Sequence, residues 1–532
     1  MKLNVVMVSC VISTLFLTMT ISTTSLHHID IESLTTAMPK EQLFALSQLT
    51  EHATISIGAD GGFSALGFPG NGSLTNPYLI ENLEIFGSSN LECIYVGGSV
   101  TAYYEIRECR LSGSYPGDGI LLAAGHGLVE SCEIFNCTNG ISIWSDGHII
   151  DSCEIHNTSH GVHPYLADDV VVQNSLFYDD FVSWFDGVDG LTLKDNTFIE
   201  SKVAIGESVN IIVKGNVFNI GEFGDHLSIF DSRIATVVQN TFNIDGSTGI
   251  RIQGCFDIII QECDFIGTEP SGTGNFGVNT GGSDYMFDIT IEDCLFRSAS
   301  CDGSFVKDGL SISNCVFTNG CISVTDSTFA EIRNNTINYG RISVGSNCIN
   351  STIQDNTLMN CNTSGIRVRR NNTGLVISNN SLNGSRESEN NGIDLWSNNV
   401  TVRYNSIENF DSGISVLNSN SCIIHNNTIS GNNLGIEVGG GCSFHRLYYN
   451  SLYGNTRNAM DDGLNNIWDD GVSLGNYWSN LYAPGVYVIP GSAGSVDRYA
   501  QPYRPSMPPV LLIIVGAGVV GTAIAFVHLR RR

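Results

Sequence analysis

Aromatic and acidic residues recur together between positions 144 and 231, and these residue types at this spacing could do chemistry. The pairs are Trp144 with Asp146, Tyr165 with Asp168, Phe185 with Asp186, and Phe230 with Asp231. Flat aromatic rings suit the faces of successive sugars, and neighbouring carboxylates accept hydrogen bonds from hydroxyls. The pattern predicts a ligand-binding strip for glycans. The alternative is that the rings pack beneath turns and that the acids form those turns.

Five acids crowd the same stretch: Asp168, Asp169, Asp179, Asp180 and Asp186. Glycoside hydrolysis needs two carboxylates about 5 to 9.5 Å apart. Asp168, Asp169 and Asp186 are therefore the catalytic candidates of a hydrolase. A lyase would need an Arg or Lys base, and residues 140–190 contain neither. Because acids are frequent along the whole chain, binding without catalysis is favoured over both reactions.

Four histidines lie within sixteen residues: His148, His156, His160 and His163. Some of them can share a face and bind a metal ion, but no pair has a ligand spacing that singles it out. Histidines in solvated turns are the favoured alternative. The sequence therefore assigns no metal site, and calcium stays open as a cofactor.

The elements that must position these side chains form a repeat marked by a central Asn or Cys. Its sixteen copies are centred on Cys109, Cys132, Cys153, Asn174, Asn196, Asn216, Asn240, Cys263, Cys294, Cys315, Asn335, Asn356, Asn380, Asn405, Asn427 and Asn450. The first and last centres are 341 residues apart, so the mean period is about 23 residues. Three residues before and two residues after each centre, the side chain is apolar in every copy.

A period of this length predicts a solenoid in which each repeat is one coil. Short strands such as "GISI" and "GIEV" follow many centres and alternate with period two. Leucine-rich repeats are the structural alternative. Ile, Val and Phe at the apolar positions, 57 glycines and the extra strand favour a parallel β-helix of about 16–17 coils. The central Asn would then bond the backbone and its own copy in the next coil, while Cys would be an inert replacement.

The two ends of the chain predict export and anchoring. We assign residues 1–24 to a signal peptide, 25–77 to an N-terminal cap with a short helix from Pro39, 78–455 to the repeats and 456–505 to a C-terminal cap. A linker (506–509), a transmembrane helix (510–527) and a cytoplasmic tail (528–532) with three arginines follow. A buried soluble helix at 510–527 is the alternative.

The amino-acid composition limits the classes of partner that the exported part of the chain can bind. Acids outnumber bases by 53 to 25, which disfavours nucleic acid and anionic lipid. The glycosylation candidates are sequon asparagines: Asn71, Asn136, Asn157, Asn350, Asn383 and Asn399. The sixteen cysteines of an exported chain would ordinarily predict disulfides, but six of them lie at repeat centres, where free thiols are favoured.

Three segments carry a resemblance to a known family. "FPGNGSLTNPYLIENLEI" from Phe68, the Asn-centred coils, and "GLNNIWDDGVSLGNYWSNLY" with "YVIPGSAGSVDRY" resemble the NosD-like β-helix surface proteins. The resemblance implies a right-handed, single-stranded parallel β-helix of the carbohydrate-binding and sugar-hydrolase class, and copper handling by analogy alone. The chain departs from that analogy in having eight Met and no Met-rich or His-rich tract. It also lacks an Asp-rich calcium-type segment between "NYWS" and "YVIPG".

Together these features predict an all-β, membrane-anchored protein that presents a capped β-helix outside the cell. We expect it to bind glycans or to contact surface and envelope proteins, as in adhesion. The second hypothesis is an extracellular polysaccharide hydrolase or lyase, and the third is a NosD-like copper-assembly factor.

Overall fold

The computed structural model describes residues 49–503 except 88–90, 222–223, 269–274, 283–285 and 387–389. Within these residues, one five-residue helix (Gly61–Ala65) accompanies the strands. The described part of the chain has no helix that is long and apolar enough to cross a membrane. The predicted signal peptide and the span 510–527 lie outside the described residues, as do residues 39–48 of the helix predicted from Pro39 to His52. The end of that predicted helix is instead a strand, Thr50–His52.

Each coil contributes three short strands, and their alternating side chains build the core. In one coil the strands are Glu331–Arg333, Thr336–Asn338 and Ile342–Val344, which we place on faces 1, 2 and 3. Ile332 and Ile337 are buried, and their strand neighbours point outward. Each strand pairs in parallel with the same strand of the next coil, as Ile332 pairs with Ile353. The period-two pattern of the sequence therefore becomes an apolar interior inside three parallel sheets.

The strands of face 1 are Tyr78–Glu81, Tyr103–Arg107, His126–Glu130, Ile149–Asp151, Val171–Gln173, Thr192–Lys194, Val209–Lys214, Arg233–Val238, Phe256–Gln261, Met286–Glu292, Val306–Asp308, Ser311–Ser313, Glu331–Arg333, Thr352–Gln354, Val376–Ser378, Thr401–Arg403, Ile423–His425 and Arg446–Tyr448. Those of face 2 are Thr50–His52, Leu83–Phe86, Arg110–Ser112, Glu133–Phe135, Glu154–His156, Leu176–Tyr178, Thr197–Ile199, Val217–Ile220, Thr241–Ile244, Asp264–Gly267, Leu295–Arg297, Val316–Thr318, Thr336–Asn338, Thr357–Cys361, Ser381–Gly384, Ser406–Glu408, Thr428–Ser430, Ser451–Tyr453, Tyr477–Trp478, Gly485–Val488 and Val496–Pro502.

Face 3 begins as a five-stranded sheet and continues as a thirteen-stranded one. Its strands are Ile55–Ala59, Ile94–Ser99, Ile120–Leu122, Asn139–Ile143, His160–Pro164, then Val182–Asp186, Lys202–Gly206, Asp225–Phe230, Thr248–Gln253, Phe276–Asn279, Ser300–Asp302, Ile322–Val324, Ile342–Val344, Ile366–Val368, Asn391–Leu395, Ser412–Val416, Leu434–Val438 and Arg457–Asp461. The solenoid therefore has about 18 turns, slightly more than the 16–17 that the repeat predicts. The extra turn at the start, with Ile55 paired to Ile94, lacks the central Asn or Cys by which the repeat is recognised.

The predicted asparagine ladder is confirmed at the corner between faces 1 and 2. The Asn335 amide Nδ2 donates to Ile312 O at 2.9 Å and to Asn356 Oδ1 at 3.0 Å, and the Asn335 backbone N–H donates to the same oxygen at 3.0 Å. These bonds satisfy a buried amide and fix the stacking of one coil on the next. The ladder ends where the backbone N–H of Asn476 donates to Asp497 Oδ2 at 2.7 Å.

Cysteine rungs replace the amide with a thiol that bonds a carbonyl, as Cys132 Sγ donates to Ile106 O at 3.5 Å. All the described cysteines, from Cys93 onward, are free thiols. The prediction that Asn174 is a rung is wrong, because Asn174 is exposed and Ser175 takes the buried position. The shift by one residue places Phe177 rather than Leu176 in the core, where its ring stacks on Phe198 at 4.8 Å.

Phenylalanine rings form a continuous stack inside face 2. The stack contains Phe177, Phe198, Phe218, Phe242, Phe265, Phe296 and Phe317, with ring centroids 4.4 to 5.1 Å apart. Stacked rings that are fully buried contribute strongly to packing. The stack keeps successive coils in one register from the coil of Trp184 to that of Phe317.

Buried acids close the C-terminal end of the solenoid. Asp461 accepts bonds from the Trp468 indole at 2.8 Å, Ser495 Oγ at 2.7 Å, and two further nitrogens. Asp497 accepts a bond from the Trp478 indole at 2.9 Å. The segment from Gly463 that carries the family resemblance thus bonds to itself and to the last coil, which gives it a structural role.

Candidate functional site

The outward column at the end of the face 3 strands brings two of the predicted aromatics together. Trp144 and Tyr165 follow the strands Asn139–Ile143 and His160–Pro164 and are 58% and 52% exposed. Tyr165 pairs with Asp186 of the next coil, and Gly206 pairs with Phe230 further along the same column. Consecutive coils therefore present Trp144, Tyr165 and Asp186 side by side at one edge of the face.

Phe185 does not belong to this column, and its prediction as a ligand-binding residue is corrected by its burial. It is 1% exposed, pairs with Ile205 and packs in the core. A shift of one residue along a strand moves a side chain to the opposite side of the sheet, which is the reason for the error. The exposed aromatic of that strand is Trp184, and half-buried Phe230 packs against it edge-on with ring centroids 5.9 Å apart. We call Trp144, Tyr165 and Trp184 the aromatic surface.

The acids predicted beside the aromatics mostly shape turns. Asp146 Oδ1 accepts the backbone N–H of Asp168 at 2.9 Å, and Asp168 Oδ1 accepts that of Asp189 at 3.0 Å. Asp169 and Asp231 adopt left-handed backbone conformations, with φ of 54° and 50°. These roles fit the turn-forming alternative. Asp186 differs, because it is half-buried within the column and pairs with Tyr165.

A connected polar group lies on the middle of face 3, and sequence reasoning identified only its histidines. His160 Nδ1 bonds Asn139 Oδ1 at 2.8 Å, and Asn139 Nδ2 donates to Ser142 Oγ at 3.0 Å. Because the Asn139 oxygen can only accept, His160 Nδ1 carries the proton and His160 Nε2 is left as an acceptor. The His163 ring stacks on that of His160 at 5.1 Å.

Burial perturbs the titration of this group. It lowers the pKa values of His160 and His163, so both imidazoles are neutral near pH 7. It raises the pKa of Asp118, against hydrogen bonds from Ser142 and Asn139 that lower it. Neutral imidazoles and a half-buried carboxyl beside exposed aromatic rings can exchange hydrogen bonds with sugar hydroxyls. The alternation of side chains in "HGVHP" did not reveal the stacked pair, since two residues three apart are expected on opposite sides of a strand.

The other two histidines of the cluster lie elsewhere. His148 is buried at a corner, where its Nδ1 accepts the backbone N–H of Gly127 at 3.1 Å. His156 is on face 2, stacked between Phe135 and Tyr178. Among the described residues, no group of three or more His, Cys, Asp or Glu side chains is placed to hold a metal ion. The four histidines therefore do not form one site.

A cleft of about 790 Å³ opens at the corner between faces 2 and 3, beside the polar group. The side chains that line it include two aromatic rings, Tyr115 and Phe181, and the polar residues Asn136, Asn157, Ser159, Asp179, Glu200 and Lys202. The volume is within the range of small-molecule sites. No sequence pattern indicated the cleft, because Tyr115 lies outside the repeat register and Phe181 precedes a strand.

The sequon asparagines occupy different environments. Asn136 and Asn157 line the cleft, and Asn71, Asn350 and Asn399 are exposed. Asn383 is half-buried and its Nδ2 donates to Glu408 Oε1 at 3.1 Å. Glycosylation of all six stays a prediction.

Comparison with known proteins agrees with the architecture. Residues 292–483 match the family described as periplasmic copper-binding protein (NosD), and four overlapping segments from 68 to 337 match the right handed beta helix region. No functionally curated protein matches the sequence.

Solved structures similar to the chain include three with different roles. The A-module of the mannuronan C-5 epimerase AlgE6 from Azotobacter vinelandii is 11% identical, with 60% of this chain and 90% of that chain covered and a TM-score of 0.25. The surface adhesin PfbA of Streptococcus pneumoniae is 12% identical, with 61% and 84% covered and a TM-score of 0.26. The PL6 family alginate lyase AlyGC is 9% identical, with 85% and 98% covered and a TM-score of 0.32. At these values the three structures have no bearing on the substrate or reaction of this chain.

The sequence matches, in contrast, extend over most of the solenoid. The right handed beta helix matches together span residues 68–337, just over half of the 532 residues, and the NosD match continues to residue 483. The coils, ladder and cap described above run through the same residues. The chain belongs to the right-handed parallel β-helix proteins, and its residues 292–483 are similar to the NosD family.

Proposed function

We propose that this protein binds glycans through the aromatic surface of face 3. The observation that carries the proposal is that Trp144, Tyr165 and Trp184 stand exposed on three consecutive coils of one face. Neighbouring exposed aromatic side chains on one surface mark interaction sites. Saccharides suit such rings, because their apolar faces stack on the ring and their hydroxyls bond neighbouring polar groups.

The polar group of face 3 supplies those neighbours. His160 Nε2 is an acceptor that its bond to Asn139 leaves unused, and Asp186 stands beside Tyr165. Both imidazoles are neutral near pH 7, so they offer hydrogen bonds without a fixed charge. This combination suits hydroxyl-rich ligands better than strongly ionic ones.

We also propose that the site lies outside the cell. An exported chain held by a helix at 510–527 would present the solenoid outside the cell, with residues 528–532 in the cytoplasm. Glycan binding in that position would serve adhesion or attachment within the envelope. Surface proteins are the other partner class that we retain for this face.

Affinity electrophoresis of the full-length protein in gels that contain neutral, acidic or aminated polysaccharides tests the proposal. We expect retardation by at least one polysaccharide, weakened about three- to tenfold in Trp144→Ala and Tyr165→Ala, because each ring contributes about 0.5–1.5 kcal/mol. Tyr339→Ala is the matched control, since Tyr339 is exposed to a similar degree on another part of the solenoid. Equal retardation of all variants, or of none, would contradict the assignment.

Polysaccharide cleavage is a second candidate, favoured by one observation. Asp118 has a raised pKa and is bonded through Asn139 to His160, whose pKa is lowered. Groups with displaced pKa values that share one hydrogen-bonded group of side chains are candidates for acid–base roles. Mass spectrometry of incubated polysaccharides would reveal new oligosaccharides that disappear in Asp118→Asn. Variants of Asp168 and Asp186 test the acids that the sequence singled out.

A copper-assembly role has only the NosD family description behind it.

A further inference from the structure

The cleft beside face 3 lies at a corner where the loop is two residues longer than in the next coil. Seven residues (113–119) separate Ser112 from Ile120, whereas five (136–140) separate Phe135 from Ile141, the residues that pair with those two. The longer loop leaves the surface of the solenoid and carries Tyr115, which is 71% exposed. Three coils further on, Phe181 is 73% exposed at the same corner. At about 4.8 Å per coil the two rings stand roughly 14 Å apart along the solenoid.

The floor between the two rings is polar and regular. Asn136, Asn157 and Asp179 end successive face 2 strands in the left-handed conformation, with φ of 54°, 53° and 55°, and Glu200 continues the row at 49°. All four are exposed, and Ser159 lies beside them. The repeat therefore lays amide and carboxylate groups in a row at coil spacing beneath the opening.

A buried acid holds one end of this floor. Asp180 is 2% exposed, and its Oδ1 accepts bonds from the Thr158 backbone N–H at 2.9 Å and from Thr158 Oγ1 at 2.7 Å. Its other oxygen, Oδ2, has no hydrogen-bond partner. Burial raises the pKa of Asp180 to about 7. A protonated Asp180 fixes the turn that carries Phe181 without adding negative charge under the cleft.

We propose that this cleft is a second saccharide-binding subsite, which takes a short run of uncharged sugar residues between Tyr115 and Phe181. The inference rests on the proposed function, since it extends glycan binding from face 3 around the adjacent corner. The strands between the cleft and Trp144 are five residues long, or about 16 Å, so one oligosaccharide of several residues can reach both places.

Charge at the rim selects the class of sugar. Asp179 and Glu200 face one ammonium group, that of Lys202, so the lining carries a net negative charge. Uronic or sulfated residues would be repelled, whereas carboxylates accept strong hydrogen bonds from neutral hydroxyls. Where Asn136 and Asn157 carry no attached glycan, their amides offer both donors and acceptors to the same hydroxyls.

Isothermal titration calorimetry of the full-length protein with defined hexamers tests this subsite. The neutral probes are cellohexaose, laminarihexaose and mannohexaose, the acidic probe is hexagalacturonate, and the aminated probe is the glucosamine hexamer. We expect at least one neutral hexamer to bind, and Tyr115→Ala and Phe181→Ala each to weaken it about tenfold. Phe181→Tyr should keep the affinity, and Tyr339→Ala should leave it unchanged. Both rings are highly exposed, so an unchanged unfolding temperature will show that the variants are folded.

The outcomes separate the subsite from the proposed function. If Trp144→Ala weakens binding but Tyr115→Ala and Phe181→Ala do not, glycan binding stands and the subsite is overturned. Tighter binding of the acidic or the aminated hexamer overturns the assignment to uncharged sugars. If no hexamer binds and polysaccharides are not retained in gels, both proposals fail. A tenfold loss in both cleft variants, together with preference for a neutral hexamer, supports the subsite.

Discussion

Removing one rung of the asparagine ladder should destabilise the solenoid far more than removing an exposed asparagine of the same repeat. Asn356 is buried, and its Nδ2 donates to Ile332 O at 2.9 Å, Gln354 O at 3.0 Å and Asn380 Oδ1 at 3.0 Å. Its Oδ1 accepts the Asn335 backbone N–H at 3.0 Å. Asn356→Ala leaves that N–H and the Ile332 carbonyl without partners in the interior. At about 1–3 kcal/mol for each of these two groups, the free energy of unfolding should fall by about 2–6 kcal/mol.

Asn174→Ala is the matched control, because the repeat pattern assigns Asn174 to the ladder and the structure does not. Asn174 is exposed and donates to Asp151 Oδ1 at 2.9 Å, so its loss should cost less than about 0.5 kcal/mol. Asn356→Cys should fall between the two, since Cys315 occupies the ladder with its thiol bonded to Ser313 O at 3.2 Å.

Urea unfolding followed by circular dichroism gives the three free energies. Hydrogen exchange resolved by peptide shows whether the loss centres on the coils around residue 356, as expected where each coil contacts only its neighbours. An Asn356→Ala variant within about 1 kcal/mol of the wild type would refute the reasoning. A loss of equal size in Asn174→Ala would do so as well, because it would place the ladder one residue away.

Three further predictions follow from buried groups. Phe242→Ala should cost about 3–5 kcal/mol in urea unfolding, because its ring is stacked at 4.7 and 5.1 Å between two others, and a cost below about 1 kcal/mol would contradict the stack. Burial raises the Asp180 pKa from 3.8 to about 7, so its stabilising contribution is complete below about pH 3.8 and is lost as the pH rises through 7. As the pH rises from 4 to 8, the unfolding temperature of Asp180→Asn should therefore increase relative to that of the wild type. A difference between the two unfolding temperatures that does not change with pH would count against this. Burial lowers the His445 pKa from 6.5 to about 4, so its contribution is present above pH 6.5 and is lost as the pH falls through 4. His445→Asn, which keeps an acceptor for the Cys422 N–H, should show a flatter decline of unfolding temperature from pH 7 to 4, and an unaltered decline would disprove the assignment.

The solenoid could be predicted from the sequence because its stabilising contacts repeat. The apolar residues three before and two after each Asn or Cys predict the core of each coil. The amide of Asn335 bonds both a backbone carbonyl and the side chain of the next Asn, as a stacked column requires. The number of coils was slightly low because the first turn pairs by its backbone, with Ile55 opposite Ile94, and carries no central Asn. Asn174 was misassigned since the adjacent Ser175 fills the same position with a hydroxyl.

The candidate site was predicted less completely, because it depends on register and on one irregular loop. Trp144 and Tyr165 are exposed as expected, whereas Phe185 is buried and Trp184 takes the outward position one residue earlier. Asp146 and Asp168 accept backbone N–H groups of the next coil, a role that spacing alone cannot separate from ligand binding. The cleft depends on the loop that carries Tyr115, which follows no repeat and whose course the sequence does not dictate.

Hydroxyl-radical footprinting of the full-length protein, with and without a retained polysaccharide, tests the central claim of glycan binding on face 3 most directly. We predict that the polysaccharide reduces oxidation of Trp144, Tyr165 and Trp184, and leaves Tyr339, Tyr404 and Phe444 unprotected as exposed references on other coils. Protection confined to the reference residues, or no protection under conditions where the polysaccharide is bound, would contradict the claim and place the ligand on another surface.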